Sequence, residues 1–362
     1  MREPALVGVL GAGGAVGTVA VTCLLTGGGV RVRAGCRRPG PARAGVRPVA
    51  VDVTDPATVR RFATGCRLVL DCTAPAYTLM DRVRAAVVDA GADYVSVMDD
   101  GRTPPPPAGR TVVLAAGVSP GLSGMLPRLL AEGLTGPLSF TGAYAGLGGL
   151  TAGAAADYLL SLDAGYGVAL AGWHGREVPR ALQVDEDFRV PTVDRALTGY
   201  PYLTAELRRQ ALMLPLARAS WFNAFDGPHL LAATTRRRGA GPPGAEAIAE
   251  LVRASRLDAA GRRPYQVLHG ELDGYTDDGR PVHRSAVIRG TDGSALTGVV
   301  AAEAVLSVLG GQVRPGVRYA SDVVDSRRLL AALQRRLPDT VVRFTGDVPC
   351  STASAEQVEG VL

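Results

Sequence analysis

The sequence predicts an α/β protein: a Rossmann-type doubly wound parallel sheet, with a second α/β domain on a mixed or antiparallel sheet. Three observations predict this fold. Residues 6–17 are an apolar strand ending in a glycine-rich turn, and an Ala/Val/Leu-rich helix follows at 19–25. Strands and helices then alternate, with short connections, to about residue 125. Beyond that point several segments alternate apolar and polar residues, which is typical of strands with one open face.

The glycine-rich turn departs from the strict Gly-x-Gly-x-x-Gly pattern, because Val16 stands at the third glycine position. The physics is nevertheless the same. Residues without a Cβ allow a sharp turn and let a pyrophosphate approach the backbone. The following helix N-terminus offers unpaired N–H groups and a positive dipole end. The residues expected to hold the phosphates are Gly11, Gly13, Gly14, Ala15, Val16 and Gly17. The alternative is a structural turn without a ligand.

The end of the second strand, at residues 30–35, indicates which cofactor binds. An NAD-preferring fold usually places Asp or Glu here to accept hydrogen bonds from the ribose 2′-OH. This chain has Arg37 and Arg38 instead. A guanidinium pairs with a 2′-phosphate through two parallel hydrogen bonds, whereas a carboxylate would repel it. We therefore expect NADP(H) rather than NAD(H). The alternative is two solvated arginines on a loop.

The next elements complete the predicted cofactor crevice. A third strand at 49–53 brings Asp52 and Val53 to the adenine edge, and Thr54 or Asp55 caps the helix that Pro56 begins. A fourth strand at 67–71 leads into a loop of small residues, which would lie beside the nicotinamide because it follows a parallel strand. These loop residues are Thr73, Ala74 and Pro75.

The parallel sheet then continues to its last two predicted strands. A helix runs from Tyr77 to about residue 90, strands follow at 93–97 and 111–116, and four prolines at 104–107 make the connection an extended loop. After the last of these strands, backbone again approaches the crevice, and a helix is predicted at 126–132. The crevice residues expected there are Gly117, Pro120 and Gly121.

The second half of the chain predicts the other sheet. A strand at 138–144 precedes a helix capped by Thr151, and Asp277–Arg280 form a hairpin turn. The other predicted strands are 167–178, 219–235, 264–274, 282–290 and 340–344, and the late helices are 296–309 and 326–337. The last dozen residues are predicted to be a tail.

Composition excludes several classes of protein. The chain has 362 residues, 47% of them hydrophobic, which is enough for a sizeable core and about two domains. No uninterrupted apolar run reaches the roughly 20 residues of a membrane helix, and we expect the first apolar stretch to be folded structure rather than a signal peptide. The sequence has no lysine, which excludes Schiff-base, P-loop and Tyr-x-x-x-Lys chemistry.

The net charge and the spacing of the cysteines and histidines limit which partners and metals the protein could bind. The net charge of +5 comes from arginine, but aromatic residues are only 5%, and the run at 236–238 lies before a Gly/Pro loop. We therefore expect no nucleic-acid partner. The five cysteines form no Cys-x-x-Cys pair, and the four histidines have no metal-ligand spacing. We expect reduced thiols, a cytoplasmic location and no metal site.

The chain resembles the saccharopine dehydrogenase-like NAD(P)-dependent reductases. The residues that carry the resemblance are 11–17 (GAGGAVG), 71–77 (DCTAPAY), 91–96 (GADYVS), 117–121 (GVSPG) and 296–298 (LTG). Ser96 stands where the family often has Asp. The resemblance implies nicotinamide-dependent chemistry at a carbon–nitrogen bond and a homodimer. It also implies an interrupted Rossmann domain: 1–125 bind the dinucleotide, 126–294 form a substrate and dimerisation domain, 295–335 return to the first domain, and 336–362 are a C-terminal strand and tail.

Hydride transfer to an imine needs one acid to protonate the nitrogen. The polar residues considered for this role are Tyr77, Asp99, Tyr144, Asp157, His174 and His229. From these we select Tyr77, Tyr144, Asp157 and His174 as catalytic candidates, with Tyr77 and Tyr144 favoured because their loops should border the crevice. For each of them the alternative is a structural or solvated side chain.

Together these inferences predict an NADPH-dependent oxidoreductase that reduces a C=N bond of a small metabolite. The arginine-only, Ala/Gly-rich composition suggests a GC-rich genome, in which a secondary-metabolite tailoring enzyme is plausible. Two alternatives stay open: a C=O or C=C reductase on the same scaffold, and a non-catalytic NADP-binding module.

Overall fold

The computed structural model describes residues 4–27, 29–105, 109–236 and 241–349, which form two sheets with helices packed against them. The first part of the chain alternates strands and helices as predicted. Its elements are β1 (Ala5–Leu10), α1 (Ala15–Thr26), β2 (Val30–Cys36), β3 (Val46–Ala50), α2 (Pro56–Ala63), β4 (Leu68–Asp71), α3 (Ala76–Asp89), β5 (Asp93–Ser96), β6 (Thr111–Leu114) and α4 (Leu122–Ala131).

The middle of the chain is mostly strand. Its elements are β7 (Thr135–Leu147), α5 (Ala152–Asp163), β8 (Gly167–Ala169), β9 (Gly172–His174), β10 (Glu177–Val178), β11 (Asp185–Phe188), β12 (Leu197–Thr204), α6 (Ala205–Met213), β13 (Leu216–Phe225), α7 (Pro228–Arg236), α8 (Ala245–Ala259), β14 (Tyr265–Tyr275) and β15 (Pro281–Gly290). The chain then continues through α9 (Gly293–Leu309), β16 (Gly316–Tyr319), α10 (Ala320–Val323), α11 (Ser326–Arg336) and β17 (Val341–Thr345).

The first sheet is parallel throughout, with strand order β16-β6-β5-β4-β1-β2-β3. The order 3-2-1-4-5-6 is that of the dinucleotide-binding Rossmann sheet, here extended by β16. Helices cover both faces: Val7 and Val9 pack in the cluster that contains α1 and α9, while Leu10 and Val69 pack in the cluster that contains α2 and α3. The predicted doubly wound parallel sheet is confirmed.

The second sheet is mixed, as predicted. Its main path is β10-β9-β13-β7-β14-β15-β17, and β8, β11 and β12 join beside it. Only β13 and β7 pair in parallel within the described residues, and the other pairs are antiparallel. We call the parallel sheet with α1, α2, α3 and α9 the first unit, and the mixed sheet with α5 to α8 the second unit. One face of the mixed sheet packs against α4, which connects the two units, through Phe140 and Trp221. On the opposite face, Phe188 and Phe222 stack with their ring centroids 4.7 Å apart.

Several predicted boundaries differ from the structure for local reasons. The third strand ends at Ala50, because Asp52 folds into a turn by accepting a hydrogen bond from the N–H of Thr54 at 2.9 Å. The segment 219–235 is a strand only to Phe225, since Pro228 begins a helix there. The segment 167–178 consists of three short strands.

Some elements were not predicted from the sequence, namely β11, β12, β16, α6, α8 and α10. At the other end of the chain, the late strand β17 pairs with β15 of the second sheet. The tail at 350–362, the end of the arginine run at 237–238 and two of the prolines, 106 and 107, lie outside the described residues. The domain boundaries at 125, 294 and 335 stay a prediction.

Candidate functional site

The glycine-rich turn lies at the carboxyl end of β1, where the strand order of the first sheet reverses. Gly11 has a φ of +72°, and a Cβ on it would lie 2.7 Å from the carbonyl oxygen of Cys72. A Cβ on Gly17 would collide with the carbonyl oxygen of Gly11. These two glycines are therefore required by the protein's own packing. Gly13 differs, because the nearest atom to its Cβ position is Cys36 Cβ at 4.0 Å.

The space at Gly13 and the start of α1 fit a pyrophosphate. Gly14 is the N-cap of α1 and makes no side-chain capping bond, and the first turn has no acidic residue. The N–H of Thr18 donates to the carbonyl of Gly14 at 2.9 Å, so the preceding N–H groups have no acceptor within the helix. An anion at this position would meet those N–H groups and the positive end of the helix dipole.

The loop after β2 presents arginine side chains to solvent. Arg37 and Arg38 are both exposed at the carboxyl end of the strand. Asp52 lies after the neighbouring strand β3, and its Oδ1 accepts hydrogen bonds from the N–H and the hydroxyl of Thr54, at 2.9 and 2.7 Å. These bonds, and to a smaller extent the charge of Arg37, lower the pKa of Asp52. Val53 is half-buried beneath this edge.

Asp71 fixes the loop that follows β4. Its carboxylate is buried and accepts hydrogen bonds from the N–H and hydroxyl of Thr73 and from the hydroxyl of Tyr94, at 2.6 to 2.9 Å. The peptide bond between Ala74 and Pro75 is cis, and Pro75 is the N-cap of α3. The loop therefore presents a fixed surface of small side chains to the crevice.

The loop after β6 is held by its own backbone. The N–H of Gly117 donates to the carbonyl of Pro120 at 3.1 Å, and the N–H of Leu122 donates to the carbonyl of Gly117 at 2.9 Å. Gly121 has a φ of +128°, which disfavours any residue with a Cβ. Thr297, near the start of α9, packs beside Gly117. The 73–75 and 117–121 loops thus lie at the same edge of the sheet as the glycine-rich turn.

Asp99 follows β5 at this edge and meets α6 of the second unit. Its carboxyl is 1% exposed. Oδ1 accepts a hydrogen bond from the N–H of Gly101 at 3.0 Å, while Oδ2 has no hydrogen-bond partner in the described part of the chain. The nearest cation to Oδ2 is Arg209, whose Nη1 lies 3.7 Å away. Burial raises the pKa of Asp99 to about 6.

Further polar side chains surround Asp99. Arg209 of α6 stacks on Tyr319, with its guanidinium carbon 3.4 Å from the ring centroid. Tyr77, at the start of α3, meets Tyr166 edge-on with the ring centroids 6.5 Å apart. Burial, and then the charges of nearby groups including Asp99, raise the pKa of Tyr77 well above its ordinary value. We call Tyr77, Asp99, Tyr166, Glu206 and Arg209 the acidic cluster.

Asp157 lies beside this cluster on α5. Its carboxyl is 8% exposed, and Oδ1 accepts a hydrogen bond from the N–H of Tyr77 at 3.3 Å. Burial raises the pKa of Asp157 to about 7. The structure therefore places the Asp157 carboxyl against the backbone of Tyr77.

Tyr144 lies on the face of β7 that is turned towards the first unit. Its hydroxyl donates to Oε1 of Gln266 at 2.5 Å, and burial raises its pKa. His174 is exposed on β9, opposite Arg218, whereas Tyr144 is opposite Asn223 on the same strand β13. Five residues of strand separate these positions, roughly 17 Å. His229 is exposed on α7. The two histidines are thus exposed, whereas the residues of the acidic cluster are buried or half-buried.

Sequence reasoning missed Glu206 and Arg209. Thr204 caps α6, and Glu206 stands in the first turn, which reads as an ordinary solvated helix start. The structure instead buries Glu206 to 3% exposure. One feature of the sequence could have indicated that Glu206 is buried: α6 begins directly after an apolar strand. The local sequence does not, however, indicate which element this strand faces.

Glu206 gives a pH-dependent prediction. Burial raises the pKa of Glu206 in the folded protein to about 7, from an ordinary value of 4.5. Between these two pH values the side chain is therefore protonated in the folded state and ionised in the unfolded state. Relative to the Glu206→Gln variant, which cannot ionise here, wild-type stability is therefore lost as pH rises from about 4.5 to 7. We expect the stability difference between Glu206→Gln and wild type to shift in favour of the variant by more than about 1 kcal/mol between pH 5 and pH 8. Urea unfolding at both pH values measures it.

The matched control is Glu186→Gln, which removes an exposed carboxyl on β11 and leaves every buried carboxyl in place. This variant should not reproduce the change. A Glu206→Gln difference that is equal at pH 5 and pH 8 would contradict the assigned burial effect.

The fold is saccharopine dehydrogenase-like, which confirms the predicted resemblance at the level of structure. The chain is similar to the apo, histidine-tagged saccharopine dehydrogenase (L-Glu forming) from Saccharomyces cerevisiae, with a TM-score of 0.63 and 16% identity. The match covers 94% of this chain and 99% of that chain. At this identity the likeness shows the fold alone.

Other structures match only the nucleotide-binding part. A Rossmann-fold NAD(P)-binding family protein from Shigella flexneri has a TM-score of 0.23 and 18% identity, over 25% of this chain and 50% of that one. The uronate dehydrogenase from Agrobacterium tumefaciens has a TM-score of 0.24 and 16% identity, over 29% and 45%. These scores are too low to carry an argument. No family model and no curated protein sequence matched the chain.

Within the described ranges, no helix is both long and apolar enough to cross a bilayer. No group of three or more His, Cys, Asp or Glu side chains there is arranged to hold a metal ion. The four cysteines within these ranges are free thiols, namely Cys23, Cys36, Cys66 and Cys72.

Proposed function

We propose that this chain is an NADP-dependent oxidoreductase that reduces a C=N bond of a small metabolite. The observation that carries the proposal is the Asp99 carboxyl. It is buried at the carboxyl edge of the parallel sheet, it has a raised pKa, and its Oδ2 has no hydrogen-bond partner among the described residues. A carboxyl of this kind can both give a proton and stabilise a cationic nitrogen.

The cofactor assignment rests on the crevice geometry. The open side of Gly13 and the free N–H groups of α1 suit the pyrophosphate, and the exposed arginines after β2 suit a 2′-phosphate. The residues that would hold the nicotinamide half are Thr73, Ala74, Pro75, Gly117, Pro120 and Gly121, and Asp52 and Val53 would border the adenine. Bound NADPH would supply a hydride to an acceptor carbon.

In the proposed reaction the protein itself supplies the proton that the substrate nitrogen accepts. Asp99 in its acid form would protonate the substrate nitrogen at Oδ2 and then pair with the resulting cation. Tyr77 and Asp157 lie beside it, and the two units enclose the cluster and exclude water. Because Asp99 is 1% exposed, the substrate would enter when the two units part and react after they close.

The charge of the cluster favours C=N over C=O. Reduction of a carbonyl develops negative charge on oxygen, whereas a protonated imine carries positive charge into the site. Glu206 lies near Asp99, and Asp157 lies near Tyr77, which is itself near Asp99. Arg209, the cation beside Asp99, also pairs with Asp322 at 3.8 Å. Carboxylates in a site of low polarity stabilise a cation and oppose an alkoxide.

The cofactor preference gives a direct prediction. In Arg37→Ala/Arg38→Ala, NADPH should bind on the order of 10- to 100-fold more weakly, because charge-assisted hydrogen bonds to the 2′-phosphate are lost. NADH binding should stay unchanged. Fluorescence titration of the wild type and the double variant with both cofactors measures this.

The matched control for this prediction is Arg60→Ala/Arg61→Ala, which removes the two basic residues in the last turn of α2. It keeps the net charge equal to that of the test variant and should leave the NADPH affinity within about threefold. Equal wild-type affinity for NADPH and NADH would contradict the 2′-phosphate assignment. Absence of any cofactor binding would favour a reading in which the chain is not an oxidoreductase.

Two alternative functions can be distinguished by the substrates with which NADPH is consumed. A C=O or C=C reductase would consume NADPH with ketones or enones rather than imines, and a non-catalytic NADP-binding module would consume it with none of them. The secondary-metabolite role, a homodimer and a cytoplasmic location remain parts of the proposal. The dimer is supported by the sequence resemblance and is measurable by light scattering.

A further inference from the structure

Two buried carboxyls of the second unit reach the loops that leave the parallel sheet and enter α3 and α4. Asp157 of α5 accepts a hydrogen bond from the N–H of Tyr77 at 3.3 Å, and the neighbouring N–H of Ala76 helps to lower its pKa against the effect of burial. Both residues belong to the first turn of α3. The approach of the two units is close here, because a Cβ on Gly153 of α5 would lie 2.7 Å from the Cβ of Ala74.

Glu206 does the same for α4. Its Oε1 accepts a hydrogen bond from the N–H of Gly121 at 2.8 Å, and its Oε2 accepts from the hydroxyl of Ser123. The contact leaves no space for a larger residue at Gly124, whose Cβ would lie 2.6 Å from Oε1. Asp157 and Glu206 come from helices about 50 residues apart in sequence, yet they make the same kind of contact. We call them the bridging carboxyls.

The helices they reach have no cap of their own. Pro75 and Gly121 are the N-caps of α3 and α4, and neither makes a side-chain capping bond. By contrast, Asp55, Asp292 and Asp325 cap α2, α9 and α11 locally, whereas α1, α8 and α10 also make no side-chain capping bond. For α3 the second unit thus supplies acceptors for the first N–H groups. In α4 the N–H groups of Leu122 and Ser123 already donate to the carbonyls of Gly117 and Val118, and Glu206 adds an acceptor for the N–H of Gly121. Both carboxyls also place negative charge at the positive dipole end of a helix.

The loops that enter these two helices are the ones assigned to the nicotinamide half, 73–75 and 117–121. We propose that Asp157 and Glu206 are positioning residues: they hold these two loops in place, so that docking of the second unit shapes the nicotinamide side of the crevice. This inference rests on the proposed function. It also moves Asp157 from the role of proton donor, which the sequence suggested, to that of a cap.

Charged and titratable groups around each bridging carboxyl are consistent with this role. Arg209, Asp99 and Tyr166 lie near Glu206, and Asp71 and Tyr77 lie near Asp157. Arg209 partly offsets the negative charge at Glu206. The oxygens with assigned bonds are occupied by protein donors, which suits a structural acceptor better than a group that transfers a proton.

Isosteric and truncating variants distinguish a positioning residue from a proton donor. Asn and Gln keep an acceptor oxygen for the backbone N–H but cannot donate an acid proton, whereas Ala removes the acceptor. We expect Asp157→Ala and Glu206→Ala to bind NADPH about tenfold more weakly, comparable to the loss of a helix cap. Asp157→Asn and Glu206→Gln should stay within about threefold of wild type. Binding of 2′,5′-ADP, which lacks the nicotinamide half, should not change in any variant.

The control is Asp325→Ala, which removes the local cap of α11 and should leave both dissociation constants unchanged. Ser123→Ala is a milder variant that deletes one donor to Glu206, and it serves if an alanine variant at 157 or 206 fails to fold. Hydrogen exchange of cofactor-free protein provides a second readout. Amides at 73–80 and 117–126 should exchange about tenfold faster in the alanine variants.

The outcomes distinguish this inference from the proposed function. If the wild type binds no NADPH but exchange at 73–80 and 117–126 still rises in the alanine variants, the cofactor assignment fails while the bridging contacts stand. If NADPH binds and the alanine variants change neither the affinity nor the exchange, the inference is overturned. If Asp157→Asn binds NADPH normally but loses all turnover, Asp157 is the proton donor and the positioning role is rejected.

Discussion

Asp99→Asn is expected to lower kcat for imine reduction by about 10²- to 10³-fold at pH 6, the usual contribution of a general acid. Asparagine keeps the size of the side chain and can still accept the hydrogen bond from Gly101, but it has no acid proton. KM should change little, because the loss concerns the transition state. Steady-state rates with a cyclic imine and saturating NADPH measure it.

The pH profile gives a second readout for Asp99. Its acid form is present below its folded pKa of about 6 and disappears above it, so wild-type kcat should fall as pH rises from 6 to 8. The Asn variant should lack this fall. The control is Asp100→Asn, the neighbouring residue, whose Oδ1 accepts from the N–H of Arg102 at 3.0 Å. Retention of more than a third of the wild-type rate in Asp99→Asn would reject Asp99 as the acid.

Gly13→Val should weaken NADPH binding by more than about 100-fold without lowering the free energy of unfolding. A Cβ at this position would meet only Cys36 Cβ, at 4.0 Å, so the protein's own packing leaves room for a side chain. It would, however, occupy the space through which the pyrophosphate approaches the backbone and the first N–H groups of α1. Titration with NADPH and urea unfolding of the same preparation measure the two effects separately.

Gly17→Ala is the matched comparison, with the opposite expectation. Its Cβ would collide with the carbonyl oxygen of Gly11, so the backbone of the turn must shift. We expect a loss of roughly 2 to 4 kcal/mol in the free energy of unfolding, typical of overpacking against backbone. Normal stability in Gly17→Ala, or tight NADPH binding in Gly13→Val, would show that the two glycines do not divide their roles in this way.

The first sheet was predictable because its signals are local. The apolar run before Gly11, the cap at Asp55 and the small residues after Asp71 each predict a strand, a helix start or a loop within a few residues. Parallel strands with short connections then allow few topologies. The late strand β16 is an exception, since nothing in its sequence indicates that it joins the edge of this sheet.

The second unit was harder for physical reasons. The alternation in 219–235 continues past Phe225 in sequence, but Pro228 cannot continue a ladder, and Asp258 accepts from the N–H groups of His229 and Leu230 at 3.1 and 2.8 Å to begin a helix. That partner lies about 30 residues later. A periodic pattern alone does not contain it.

The candidate site also contains residues that local sequence predicted and residues that depend on distant contacts. The glycine-rich turn and the arginines after β2 were found because their chemistry follows a strand end directly. Glu206 and Arg209 were missed because their role depends on how α6 meets the first unit, which no local pattern records. Asp157 was noticed for its place after a glycine-rich loop, but its partner Tyr77 is 80 residues earlier.

The path of the chain through both sheets has a consequence for how the protein is made. β16 completes the parallel sheet only after all the strands of the mixed sheet except β17 have been synthesised, and β17 then returns to the edge of the mixed sheet. The parallel sheet is therefore complete only after residues 316–319 have been synthesised, and the mixed sheet only after residues 341–345. The early strands must wait in a partly assembled state, and the two halves of the molecule reach their final form almost together.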